Sequence, residues 1–258
     1  ATDPTPYLAT VTQFAPLAGD RYQPGEAGTA LYSGITAHRA TDGWVLSGTA
    51  RYVLDGDRAE KFAVVTDGGT FVIDAAHAQV TRTEVFDPVL HVTDVTLADV
   101  RVGQDDRVHT DAERAHHVAL MGISITTVGA CQRALDLVLA HVRDRHQFGV
   151  PIGSFQAVQH KAVDMHVAIE RARALAYFSA LTISADDPRR RLAAAMAKAA
   201  AGECQSVVFR HGLQLFGGMG FTWENDVQFA LKRAKVGELM LGGAAEHRAV
   251  IANEYRGL

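Results

Sequence analysis

Residues 143–156 read Arg143-Asp144-Arg145-His146-Gln147-Phe148-Gly149-Val150-Pro151-Ile152-Gly153-Ser154-Phe155-Gln156. This segment separates two stretches whose apolar residues recur at helical spacing, and the separation decides the fold. Upstream, Asp111 with Arg114 follows a Thr110 cap and opens a helix that runs to about Arg145. Downstream, Phe155, Val158, Ala162, Met165, Ile169 and Ala172 are spaced by three and four, which predicts a helix from Ser154 to about Ser184. Asp186-Asp187-Pro188 ends that helix and starts the next, with Asp187 as cap and Pro188 in the first turn. The third helix has an Ala-rich middle (Ala193–Ala201) and runs to about Phe216, where Gly217-Gly218-Met219-Gly220 breaks it. A shorter helix follows Trp223-Glu224-Asn225, and a last one covers about Gly237–Tyr255. Helices of about 30 residues are about 45 Å long, and the short loops between them predict an antiparallel bundle.

The first part of the chain has another character. Thr29–Arg39, Gly43–Leu54, Lys61–Thr66, Thr70–Ile73, Val80–Val85 and Val92–Val102 are rich in Val, Thr, Ile and Tyr. Thr41-Asp42-Gly43, Asp55-Gly56-Asp57 and Asp67-Gly68-Gly69 separate them as turns. The pattern predicts a small antiparallel β barrel or sandwich. Residues 1–28, with Pro4, Pro6, Pro16 and Pro24, read as a mostly irregular lead into it. The fold class is therefore α+β, with a β domain over residues 1–105 and a helical bundle over 106–258.

Composition narrows the function. The 258 residues are 48% hydrophobic and 21% charged, with 25 basic against 29 acidic side chains and a formal charge of −4. Such a surface has no net attraction for nucleic acid or an anionic membrane, although a local basic patch can still hold a small phosphorylated ligand. Cys131 and Cys204 each sit in an apolar helical pattern and make neither a disulfide framework nor a zinc site, which favours a reduced, cytoplasmic setting. Ala1-Thr2-Asp3-Pro4 lacks the features of a leader peptide, and the weakly polar run Val118–Ala130 is too short to cross a bilayer. His160 and Asp164 are four apart on one helix, but without a third ligand they read as an ion pair and no metal site is expected.

Two clusters carry chemistry. Arg145 lies at a helix C-terminus, where it is either a favourable cap or a free guanidinium fork. Gln214-Leu215-Phe216-Gly217-Gly218-Met219-Gly220 is either a plain helix stop or a loop whose amides can approach a pyrophosphate. Their order and spacing resemble the flavin-dependent acyl-CoA dehydrogenases. Arg145-x-Gln147-Phe148-Gly149, Pro151-Ile152, Phe155-Gln156 and Asp164-Met165 match that family's helix junction. Gln214-x-x-Gly217-Gly218-x-Gly220 matches its flavin loop, and Trp44-x-Leu46-x-Gly48 its middle β domain. The resemblance covers nearly the whole chain and implies a middle β barrel, a C-terminal helical bundle and FAD as cofactor. The family's N-terminal helical domain is read as missing.

By the same resemblance, Arg145, Gln147, Phe148, Gln214, Gly217 and Gly218 touch the adenosine and diphosphate of a flavin seated mainly on a neighbouring subunit. Tyr52 falls where the family has a tryptophan against the isoalloxazine. Leu54 falls where a Ser or Thr hydroxyl bonds flavin N5. The reaction also needs a carboxylate to remove an α-proton from the thioester. Leu241, before Gly242, occupies the usual glutamate position, and the other familial location, Ala119–Gly129, contains no carboxylate. Glu238 and Glu246 are the nearest acids in sequence. The resemblance thus implies no catalytic residue of its own and a base-less subunit of a mixed α2β2 assembly, like those of bacterial steroid side-chain degradation. The acyl-CoA would then bind at the related partner's site. An active homo-oligomeric acyl-CoA dehydrogenase, or a structural or binding module on the same fold, are the alternative readings.

Overall fold

The computed structural model describes residues 10–256. It divides into two compact units between Ala119 and Leu120. The division falls later than the change of composition near residue 105. Arg107–Val108 still pairs with a strand of the first unit, and Ala115 packs in that unit's core.

The first unit contains strands β1 (Gly28–Leu31), β2 (Ile35–Ala40), β3 (Gly43–Leu54), β4 (Lys61–Thr66), β5 (Gly69–Asp74), β6 (Gln79–Thr83), β7 (Val92–Val102) and β8 (Arg107–Val108). They form two four-stranded sheets, ordered β1-β4-β5-β8 and β2-β3-β7-β6. Leu31, Phe62, Val64, Phe71 and Ile73 from one sheet meet Ile35, Leu46, Val95 and Leu97 from the other in a shared core, as in a sandwich. The alternate residues Ala30, Ala63 and Val72 face away and pack on Phe14 and Leu17. The first sheet is thus covered on both faces, which is why β4 and β5 read as unbroken apolar runs.

Three expectations are corrected here. The sheets are not wholly antiparallel: β1 runs parallel to β4, because the β2–β3 hairpin in the other sheet provides the crossover that parallel neighbours need. Thr29–Arg39 is not one strand. The chain leaves one sheet and enters the other around Gly34, at φ +84°, where a Cβ would lie 2.1 Å from the Thr49 carbonyl oxygen. The lead is not irregular over residues 10–21. It forms a π turn (Thr10–Phe14), a short helix α1 (Ala15–Ala18) with Pro16 in its first turn, and a 3-10 turn (Gly19–Arg21). Residues 1–9 lie outside the described residues.

The second unit is helical. Its long helices are α2 (Ala112–Asp144, from Leu120 onward), α3 (Gln156–Ser184) and α4 (Arg190–Phe216), followed by α5 (Val227–Leu239) and α6 (Ala244–Arg256). The cap of α2 is Asp111 rather than Thr110: its carboxylate accepts the Arg114 amide at 2.8 Å. Asp187 accepts the Arg189 amide at 2.8 Å, and α4 begins at Arg190, two residues past Pro188. Gln132 bonds Arg173 between α2 and α3, while Arg171–Glu203 and Asp164–His211 link α3 to α4, in the order that antiparallel neighbours require. Asp164 is thus paired with His211 and not with His160.

Val128, Cys131, Leu135 and Val138 of α2 pack with Met165 and Ile169 of α3, Cys204 and Val208 of α4, and Leu231 of α5. By length and composition α2 could cross a membrane, yet those apolar residues are the ones committed to this core. The expected last helix over 237–255 is two helices. Met240–Gly243 interrupts them, with Leu241 at φ +55° and Gly242 at φ +92°.

Candidate functional site

Between α2 and α3 the chain makes a minimal hairpin, β9 (His146–Gln147) against β10 (Val150–Pro151). Phe148 and Gly149 form its turn, both at positive φ (+55° and +82°), as a two-residue hairpin turn of this hand demands. A phenylalanine in that conformation is strained, and its ring is 93% exposed, touching Phe155 edge-on at 6.1 Å. Beside it Arg145 ends α2 through its amide bond to the His141 carbonyl. Its guanidinium is exposed and donates to Met219 Sδ at 3.4 Å.

That last contact joins the two sequence clusters in space. Gln214 is exposed on the last turn of α4, and Gly217 terminates the helix at φ +61°. A Cβ at Gly217 or Gly218 would meet nothing within 4 Å, so this backbone faces open space. Gly220 is the tight one: a Cβ there would sit 3.1 Å from Phe216. Phe216 is held from below by His141, stacked at 4.4 Å. Burial, then the Arg145 charge, push the His141 pKa down, and the nearby Asp144 only partly opposes them. A cleft of about 300 Å³ adjoins the loop, lined by Leu137, Phe216, Met219, Thr222, Glu224, Asn225 and Asp226. The exposed guanidinium, the unobstructed glycine backbone and the Gln147 and Gln214 amides fit the diphosphate of FAD.

Tyr52 belongs to the first unit. It lies at a bulge of β3, where pairing with β7 slips between Ala50 and Val53, and its φ is +58°. Its amide donates to Asp94 at 3.2 Å and Arg51 lies over its ring at 5.2 Å. The slip breaks the alternation: Arg51 and Tyr52 are exposed in succession, while Val53 and Leu54 are buried. Tyr52, 58% exposed, is open to a planar ligand. Leu54, at 2%, presents nothing to one.

The turn Met240–Gly243 is held by Lys198 and His247, which belong to no motif named above, and by the two nearby acids Glu238 and Glu246. Lys198 is fully buried and donates to the carbonyls of Glu238 (2.8 Å) and Gly242 (2.6 Å). Burial pulls its pKa down to about 8 against the opposing pull of Glu238 and Glu246. His247 Nε2 donates to the Leu241 carbonyl at 2.8 Å. Glu238 receives Lys235 at 2.8 Å and the Ala244 amide at 3.4 Å. Burial alone would raise its pKa, but Lys235, that amide and Lys198 outweigh it and hold it below the ordinary value, the wrong direction for a base. Glu246 is exposed and accepts the Gly243 amide. On α2, Ser124, Thr126 and Thr127 turn their hydroxyls back onto the carbonyls four residues earlier. The one sequence signal for Lys198 was a lone charge within Ala193–Ala201.

Comparison with known proteins identifies the family. Residues 112–255 match the model of the acyl-CoA dehydrogenase C-terminal domain. The chain is 34% identical to acyl-CoA dehydrogenase IpdE2 of Mycolicibacterium smegmatis over 245 residues, covering 94% of this chain and 71% of that protein. Among the curated relatives the share spanned runs from 31% to 71% of their length. Its fold is similar to the ChsE4-ChsE5 complex of Mycobacterium tuberculosis (TM-score 0.89, 24% identity, 98% of this chain and 76% of that one). It is also similar to a variant of the Tcur3481-Tcur3483 steroid acyl-CoA dehydrogenase (TM-score 0.77, 26% identity, 88% and 66%). The chain belongs to the acyl-CoA dehydrogenase family, whose members are FAD-dependent flavoproteins.

Proposed function

We propose that this chain is a subunit of a hetero-oligomeric acyl-CoA dehydrogenase, that it carries no catalytic base of its own, and that it lends flavin contacts to a related partner subunit. The reaction class is α,β-dehydrogenation of an acyl-CoA thioester, in which FAD supplies the hydride acceptor. Arg145 binds the diphosphate with its planar fork, the Gly217–Gly218 backbone admits it at close range, and Gln147 and Gln214 supply amide contacts. Phe148 offers an exposed ring to the adenosine. The acyl-CoA is taken at the partner's site, and Tyr52 marks the position of a second, base-less flavin face. Buried, free Cys131 and Cys204 fit a cytoplasmic setting.

One observation carries the reading: Leu241 stands at the turn before Gly242, and the two acids beside it are engaged elsewhere, Glu246 being exposed and bonded to the Gly243 amide. Glu238 is committed to Lys235 and the start of α6, and Leu241 itself is bonded only through its backbone. The ChsE4-ChsE5 complex among the similar structures supports a mixed assembly. The test is flavin stoichiometry with thioester-dependent bleaching. The chain alone, supplied with FAD, should not bleach with any acyl-CoA, and the mixed complex should hold one flavin per two unlike chains. One flavin per chain with robust turnover by the pure chain would establish the active homo-oligomer instead. No flavin in either preparation would leave only the structural module.

A further inference from the structure

The Arg145 amide donates to the His141 carbonyl at 2.9 Å, so the two side chains leave the end of α2 on one side, a turn apart. Arg145 reaches the middle of the glycine loop through Met219, and His141 reaches its start. The imidazole lies flat on Phe216, with centroids 4.4 Å apart and planes 18° from parallel. Phe216 is the buried last residue of α4, and the loop is built onto it. Gly217 turns away at φ +61°, and Gly220 returns so close that a Cβ there would sit 3.1 Å from the Phe216 Cβ. Phe216 therefore sets where the Gly217–Gly218 backbone stands, and His141 sets Phe216.

One atom of this stack decides which form of the histidine fits. His141 Nε2 is buried and has no hydrogen-bond partner. As the lone pair of a neutral imidazole it forgoes little. As the N–H of an imidazolium it becomes a charged donor without an acceptor, which is the costly case. The charges that act on the ring are Arg145, which disfavours the cation, and Asp144, which favours it, while α4 faces it with the Phe216 ring. The neutral ring belongs to the stack, and a protonated one must turn away towards solvent.

From this we infer that His141 is a positioning residue for the glycine loop: its neutral ring seats Phe216, and with it the Gly217–Gly218 backbone beside Arg145, and protonation releases the loop. The inference rests on the proposed flavin contacts. It adds that the loop is set before the diphosphate arrives, and that the hold on the flavin weakens as pH falls through the histidine range. A diphosphate in the Arg145 fork does not reverse that sign, because fork and diphosphate offset one another and burial, the larger influence on His141, remains.

FAD affinity of the assembled complex, read from flavin fluorescence on dilution at about pH 8 and about pH 5.5, either side of the ordinary histidine value, tests this. Loss of a stacked aromatic pair corresponds to about a three- to tenfold change in an equilibrium constant, and wild type should bind FAD that much more weakly at the lower pH. His141→Phe keeps a flat ring that cannot titrate, and should hold FAD at both values as wild type does at the higher one. His141→Leu keeps bulk without the flat ring, and should be weak at both. The exposed His146 is common to all three proteins, so the difference between the wild-type and His141→Phe profiles belongs to His141. A profile shared by those two, tighter binding in acid, or wild-type affinity in His141→Leu would each overturn the inference. If His141→Leu does not assemble, the first two comparisons still decide. Arg145→Ala separates the inference from its premise. Loss of FAD there with no effect at His141 sinks the inference alone, whereas FAD held as tightly as in wild type by Arg145→Ala sinks the flavin reading and this inference with it.

Discussion

The ammonium of Lys198, in the middle of α4, bonds the carbonyl of Gly242 at 2.6 Å. It thereby fastens the turn that separates α5 from α6 to the interior of the bundle. A buried lysine is costly unless its protons are used. Here two carbonyls take them, at the end of α5, where the dipole favours a cation. Replacing Lys198 by Met keeps the length and removes both bonds. Hydrogen bonds to charged groups are worth about 1.5–3 kcal/mol each, and relief of the burial cost offsets part of the loss. The expected net destabilisation is about 1–3 kcal/mol by urea titration, with faster amide exchange at residues 240–243.

The same lysine sets a pH signature. Its folded pKa, about 8, lies below the ordinary 10.5, so between those values the unfolded chain binds more protons than the native one. Stability from this group therefore rises with pH across the window, and is lost as pH falls through about 8. The difference in unfolding free energy between wild type and Lys198→Met should grow from pH 8 towards 10.5. A difference that stays flat would mean that Lys198 is not desolvated.

Gly237 is where α5 touches α2. A Cβ there would lie 2.1 Å from Thr127 Oγ1. Gly237→Ala should cost about 1–3 kcal/mol, the usual penalty of overpacking. Thr127→Ala in the same chain should recover part of it, because the atom in the way is gone. Additive losses in the double mutant would place the strain elsewhere.

What the sequence displayed and what it hid follow from the same physics. The junction at 143–156 was legible because helical periodicity stops at Arg145 and resumes at Phe155, with Gly149 and Pro151 between. The sandwich was legible from β-branched runs and Gly-Asp turns. Gly34 leaves no sign of a corner in the sequence, because Thr29–Arg39 is β-prone throughout and only the approach of the Thr49 carbonyl makes that glycine necessary. The turn at 240–243 was hidden because a leucine at positive φ leaves no compositional mark. Lys198 was visible as a charge in an alanine run, but its partners are backbone carbonyls 40 and 44 residues away, which no side-chain pattern can announce. Leu54 was placed by motif and buried by a bulge, since one slipped residue reverses which side chains face out.

Arg145→Ala tests the flavin contact. The guanidinium is exposed and its recorded side-chain partner is the Met219 sulfur, so little folding stability depends on it. Loss of a charge-assisted phosphate contact of about 1.5–3 kcal/mol should weaken FAD retention by the assembled complex at least about tenfold, with the unfolding midpoint unchanged. Retention equal to wild type would reduce Arg145 to a helix-terminal charge.

On the proposed reading Leu241 occupies the base position, and Leu241→Glu asks whether a missing carboxylate is what keeps this chain from dehydrogenating acyl-CoA. The backbone there is already left-handed, at φ +55°, and glutamate tolerates that no worse than leucine, so the turn should survive. The residue is half-buried, and the polar group adds a cost of about 1–3 kcal/mol by mutational measures, which the Lys198 clamp helps to bear. Partial desolvation should raise the new carboxylate's pKa, as removal of an α-proton requires; the nearby Lys198 charge pulls the other way. A base is nevertheless not enough. On the proposed reading Leu54 stands where a hydroxyl would bond flavin N5; it has none and is buried, so a flavin on this face would lack that anchor. The expected outcome is therefore no new acyl-CoA-dependent bleaching, measured anaerobically in the complex with the partner's base removed. Clear bleaching by Leu241→Glu would show that the carboxylate alone was missing. The complementary variant Leu54→Thr with Leu241→Glu would then have to bleach faster still if the hydroxyl contributes at all.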